Sequence, residues 1–115
     1  MVTILIVDDE KAIRELLQDY LSDNFRIITA GNGIEGLKKF KQNPIDIVFT
    51  DVNMPLMDGL TMAREIRKLG FNKLILFVTS SSLSDFEEPF LVIRKPYSLG
   101  QLSSLINNAI QKSNL

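Results

Sequence analysis

Asp8, Asp9 and Asp51, together with Thr79 and Lys95, are the residues whose types and placement can do chemistry. Asp8 and Asp9 follow the apolar run Thr3 to Val7, Asp51 follows Ile45 to Thr50, Thr79 closes Leu74 to Thr79, and Lys95 lies just past Phe90 to Ile93. An acidic residue that ends a wholly apolar run belongs to a cleft or a turn, because an unpaired carboxylate is too costly to bury in a core. Three carboxylates in one cleft repel one another and need a cation. The chain has no Cys and no His, which excludes disulfides, thiolate or imidazole metal sites and a histidine base. Oxygen ligands alone select a hard ion, and Mg²⁺ is the usual choice where phosphate is bound as well. On that logic Asp51 is a nucleophile toward a phosphoryl donor. The metal and Lys95 neutralise charge on the phosphoryl oxygens, and Thr79 donates a hydrogen bond to them.

Each of these residues also has an ordinary role. Asp9 can cap the first helix and Asp58 the third, Lys95 can be a solvated charge, and Thr79 is a good strand former. The weight lies in their joint placement, which requires elements that bring five chain segments to one edge. The five apolar runs, with Phe25 to Ala30 as the second, read as strands. Most lack alternation, as expected of a parallel sheet covered on both faces. Between them, Ile13, Leu16, Leu17, Tyr20 and Leu21 follow the spacing of an apolar helix stripe. Ile34, Leu37 and Phe40 make a second stripe, and Leu60, Ala63, Ile66 and the stem of Arg67 a third. Leu99, Leu102, Ile106, Ala109 and Ile110 make the last.

Alternating strands and helices predict an α/β fold with a doubly wound, five-stranded parallel sheet. Ligands of such sheets bind beyond the carboxyl ends of the strands, where strand order reverses; if the order is 2-1-3-4-5, Asp8, Asp9 and Asp51 crowd together there. One connection breaks the rhythm. Ser80 to Pro89 is shorter than the roughly dozen residues a parallel crossover needs, so the fourth helix is expected to be short or absent. At most it holds a turn capped by Ser84, with Glu87 three residues on.

The 115 residues fit a single domain, 1–115, with 45% apolar and 23% charged residues in the globular range. A net charge of −1 and the lack of a Lys/Arg run argue against nucleic acid or an anionic membrane as partner. The chain passes from Met1 straight into a strand-like run, so neither secretion nor membrane insertion is expected, and a cytoplasmic location is.

These motifs resemble those of the receiver domains of bacterial two-component response regulators. Ile6-Val7-Asp8-Asp9-Glu10 is similar to the family's acidic opening, and Asp51 to Gly59 to its D-x-x-M-P-x-M-D-G phosphoacceptor segment. Thr79-Ser80 and Lys95-Pro96-Tyr97 resemble the remaining signatures. The resemblance implies that Asp51 is phosphorylated by a histidine kinase or phosphotransfer protein and that Asp8, Asp9, Asp51 and the Asn53 carbonyl hold Mg²⁺. It further implies that Thr79 and Lys95 contact the phosphoryl group, that the Lys95-Pro96 bond is cis, and that the chain catalyses only its own phosphorylation and dephosphorylation. Two positions depart from the pattern. Val92 stands where the family usually carries a switching Tyr or Phe, with Phe90 on the same strand face. The second departure is the Ser80 to Pro89 connection, where the family has a full helix.

Three other readings compete. Gly31 to Gly36 matches G-x-G-x-x-G, a dinucleotide-binding pattern, but that motif belongs after the first strand, where Asp8-Asp9-Glu10 would repel a pyrophosphate. An aspartyl-nucleophile phosphatase needs a second acid where Asn53 stands. A receiver-like interaction module that signals without phosphate is suggested by Val92 and the short connection.

Overall fold

Ile, Val, Leu and Phe fill both faces of the central strands because helices close over both sides of the sheet. In the computed structural model, which describes residues 1–81, 83 and 86–113, the elements alternate throughout most of the chain. They are β1 (Thr3–Val7), α1 (Lys11–Leu21), β2 (Arg26–Ala30), α2 (Gly33–Gln42), β3 (Ile47–Asp51), α3 (Gly59–Lys68), β4 (Leu74–Thr79), β5 (Phe90–Arg94) and α4 (Leu99–Ser113). The strands form one parallel sheet in the order β2-β1-β3-β4-β5, as expected. Phe25 and Ile45, placed in strands on sequence, are buried just ahead of β2 and β3.

Two apolar layers result. Ile4, Ile6, Ile47, Phe49, Leu76 and Val78 pack under Leu17 and Leu21 of α1 and Leu102 and Ile106 of α4. The alternate residues Leu5, Val7, Val48, Ile75 and Phe77 pack against Met62, Ala63 and Ile66 of α3, with Leu37 and Phe40 of α2 at the margin. Every residue of β1, β3 and β4 is thereby buried.

Two helix stripes are narrower than their spacing suggests. In α1, Leu17 and Leu21 face the core, while Leu16 and Tyr20 remain 49% and 41% exposed. In α2 the buried residues are Gly33 and Gly36, and Ile34 is 54% exposed. A Cβ on Gly33 would stand 2.5 Å from the Met57 carbonyl oxygen, and one on Gly36 would stand 2.6 Å from the Met62 sulfur. The helix approaches its neighbours through its glycines, which turns Ile34 outward. The same contacts account for the G-x-G-x-x-G pattern. Asn32 caps α2 by accepting the Glu35 N–H at 2.9 Å, and Glu35 accepts the Gly31 N–H at 3.3 Å.

Between β4 and β5 the described residues form no helix, and the cap expected at Ser84 lies outside the described residues. Phe86 of this connection instead meets Phe77 edge-on at 4.9 Å between ring centroids and Phe90 at 5.8 Å. Phe90 and Val92 share that side of the sheet, as their strand parity predicts. Among the described residues no helix is long and apolar enough to cross a membrane.

Candidate functional site

Parallel strands deliver their carboxyl ends to one edge, and that edge gathers the predicted residues. Val7 of β1 pairs with Thr50 of β3, so Asp8 and Asp51 emerge side by side. One carboxylate oxygen from each of Asp8, Asp9 and Asp51 lies within 4.8 Å of the others. Asp8 and Asp51 are buried at 4% exposure, whereas Asp9 is open to solvent. Asp9 does not cap the first helix: Glu10 holds the N-cap position, and its N–H donates to Asp8 Oδ1 at 2.8 Å. Asp58 does cap α3, accepting the Thr61 N–H at 2.7 Å.

Lys95 completes the cleft from the far side of β4. Its Nζ donates to Asp51 Oδ2 at 2.7 Å, and the bond after it, to Pro96, is cis. The other Asp51 oxygen, Oδ1, accepts the Asn53 backbone N–H at 3.1 Å. Thr79 is buried on the neighbouring strand, one position beyond Val78, the partner of Asp51. Its hydroxyl accepts the Ser81 N–H at 3.1 Å, and its carbonyl accepts the Lys95 N–H at 3.0 Å. One end of the β4–β5 connection is therefore tied directly to the cleft.

The electrostatics follow from the crowding. Burial pushes the Asp8 carboxyl above its usual range; the Glu10 N–H works against that, and the charges of Asp51 and Asp9 add to it. The hydrogen bond to Asp51 raises the Lys95 ammonium above its ordinary value, against the effect of partial burial. One lysine thus faces three clustered carboxylates, and the donor set is all oxygen. That chemistry fits a small hard cation, with Asp8, Asp9 and Asp51 as its carboxylate ligands.

Several further residues shape the site. Arg14 Nη1 donates to the Asp8 carbonyl at 2.7 Å, bracing the acidic turn from α1. Thr50 Oγ1 donates to the Asp51 carbonyl at 2.9 Å. That same carbonyl occupies the space a Cβ on Gly59 would need, and the Gly59 N–H donates to the Val52 carbonyl at 2.9 Å. The absent side chain lets α3 begin directly against the end of β3. Tyr97 lines a pocket beside the cleft with Asp8 and Lys95, its ring edge-on to Phe49 at 6.5 Å. Of these, Gly59 and Tyr97 had a signal in sequence, as the last residues of the Asp51 to Gly59 and Lys95 to Tyr97 segments.

A doubly wound sheet with a carboxylate cluster and a lysine at its switch point defines a phosphate-and-cation class of site. The sequence model of the response regulator receiver domain matches residues 4–107, and the chain belongs to that family. It is similar to a sensor histidine kinase, RcsC of Salmonella typhi, at 36% identity over 110 residues, covering 90% of this chain but 12% of that protein. A response regulator receiver domain protein from Clostridium thermocellum superposes with a TM-score of 0.87 at 32% identity, covering 99% of this chain and 98% of that one. The response regulator TrrA of Thermotoga maritima, solved in complex with Mg²⁺ and beryllium fluoride, gives 0.82 at 37% identity, with 95% and 99% covered.

Proposed function

We propose that this chain is a phosphorylation-dependent switch of a two-component system, in which Asp51 accepts a phosphoryl group from a histidine kinase or phosphotransfer protein. The observation that carries this reading is the 2.7 Å pair of Lys95 with Asp51, set opposite the Asp8 and Asp9 carboxylates. Asp51 Oδ2 forms the new bond to phosphorus as the donor's P–N bond breaks, and the leaving imidazole nitrogen takes up a proton. Lys95, 42% exposed along its side chain, has the freedom to follow the charge from the carboxylate to a phosphoryl oxygen. Among the described residues Thr79 uses only the acceptor side of its hydroxyl, toward Ser81, which leaves its O–H to a phosphoryl oxygen. Asp8, Asp9, Asp51 and the Asn53 carbonyl would hold Mg²⁺, which supplies charge neutralisation on the phosphoryl oxygens when bound.

The chain catalyses only its own phosphorylation and dephosphorylation, and it works in the cytoplasm. Its output surface is the β4–β5 connection, shortened relative to the helix-bearing family pattern. Nucleic acid and membrane are not direct partners. A phosphate-independent module is disfavoured by the completeness of the cleft. Incubation with acetyl phosphate and Mg²⁺ is expected to add one phosphoryl group, located at Asp51 by mass spectrometry and lost in Asp51→Asn. Undiminished uptake by that variant would remove Asp51 from the role.

A further inference from the structure

Arg67, in the last turn of α3, turns its guanidinium toward backbone and not toward a carboxylate. Nη1 donates to the carbonyls of Phe71 at 3.2 Å and Lys73 at 2.7 Å. Nη2 donates to those of Glu87 at 3.2 Å and Pro89 at 2.6 Å. The first pair belongs to the turn between α3 and β4, the second to the β4–β5 connection. The guanidinium carbon also lies 5.7 Å from the Phe71 ring centroid and 5.8 Å from that of Phe86. One side chain thus binds the α3–β4 turn to the end of the β4–β5 connection, beside a backbone bond from the Ile75 N–H to the Pro89 carbonyl at 3.3 Å. Carbonyls in irregular backbone need partners, and a planar fork with five N–H donors can satisfy four of them at fixed geometry. The same Phe86 packs on Phe77 and reaches Phe90, so ring and fork fasten the connection from two sides.

The opposite end of α3 is equally fixed. Asp58 caps it, and Gly59 seats it on the Asp51 carbonyl. Helix α3 therefore touches the carboxylate cleft at its start and the connection at its end. We propose that Arg67 is the positioning residue that pins Glu87 to Pro89 onto α3, where the described residues form no crossover helix, so that movement begun at Thr79 stops short of Glu87. Burial lowers the Arg67 guanidinium below its ordinary value, and the charges of Glu87 and Glu88 work against that.

The test is amide hydrogen exchange on the ion-free, unphosphorylated protein, which makes its outcome independent of phosphoryl transfer. Arg67→Met keeps a long apolar stem without the fork. Exchange across residues 86–91 is expected to accelerate about tenfold or more in this variant, while β1 and β3 keep their protection. Arg67→Lys should accelerate the same segment nearly as much, because one ammonium cannot bridge both carbonyl pairs. Exchange of 86–91 within about twofold of the parent in both variants would overturn the proposal. So would equal acceleration in β1 and β3, which marks a general support of the fold. Should Arg67→Met fail to fold, Arg67→Lys is judged by the same criteria.

Discussion

Leu56 holds a left-handed backbone with φ 70° in the loop that joins Asp51 to α3, and its side chain is 80% exposed. A non-glycine residue pays about 1–2 kcal/mol for that conformation, and an exposed leucine returns little burial in exchange. Glycine removes the strain but adds freedom to the unfolded chain, which offsets roughly 0.5–1 kcal/mol. Leu56→Gly is therefore expected to stabilise the protein by about 0.5 kcal/mol, read as a higher urea midpoint at unchanged slope. A lower midpoint would mean that the leucine makes contacts worth more than its strain. The site itself was largely legible at this scale. Asp8, Asp9, Asp51, Thr79 and Lys95 are polar residues at the ends of apolar runs, and parallel strands bring such ends together. Arg14 was not legible, because its target is a backbone carbonyl and backbone groups leave no mark in sequence. Leu56 was missed for a related reason: its strain is set by the turn around it.

At the scale of elements, Asp46 shows how a loop fixes a strand's register. Its N–H donates to the Thr3 carbonyl at 2.9 Å, and its Oδ2 accepts the Thr3 N–H at 2.9 Å, so the start of β1 is clasped from the approach to β3. Lys73 Nζ reaches Oδ1 at 3.0 Å from the approach to β4. Burial alone would raise this carboxyl; the Thr3 N–H and Lys73 outweigh it and hold it below the usual carboxylate range. A carboxyl lowered on folding contributes stability that is present above its unfolded pKa and lost as pH falls through the folded one. Asp46→Ala should cost about 1–2 kcal/mol near neutral pH, mostly through Thr3, since an exposed lysine adds little. The difference should close in acid below the ordinary carboxylate range. A gap that persisted there would assign the effect to packing. The strands were legible from their apolar runs, but the inward faces of α1 and α2 were not. Hydrophobic spacing names the residues able to face a core; neighbouring elements decide which do, and here the Met57 loop and Met62 press on α2 so closely that glycine is the inward residue.

For the whole molecule, the alternation of strands and helices made a doubly wound parallel sheet legible, but not by itself the order of its strands. The β4–β5 connection was legible only as shorter than a usual crossover. Its anchoring by Phe86 and Arg67 depends on side chains from two distant segments. That anchoring shapes how the molecule responds as a unit. A modification shifts an equilibrium only through contacts that differ between its states. In the proposed switch the contact that differs is at Thr79, whose hydroxyl accepts the Ser81 N–H. Drawing that oxygen toward a phosphoryl group on Asp51 either carries Ser81 along or breaks its bond, so motion starts at the head of the connection. Val92, small and apolar, supplies no swinging ring, and the fixed end at Glu87 to Pro89 stops the motion from spreading along β5. With Mg²⁺ and beryllium fluoride, amide exchange is expected to change most across residues 80–86, by about tenfold, and less across 87–91. Thr79→Ala should abolish the change while leaving beryllium fluoride binding at Asp51 detectable by ¹⁹F resonance. A largest change in α1 or α2, with 80–86 unaffected, would place the output on another face and discard this route.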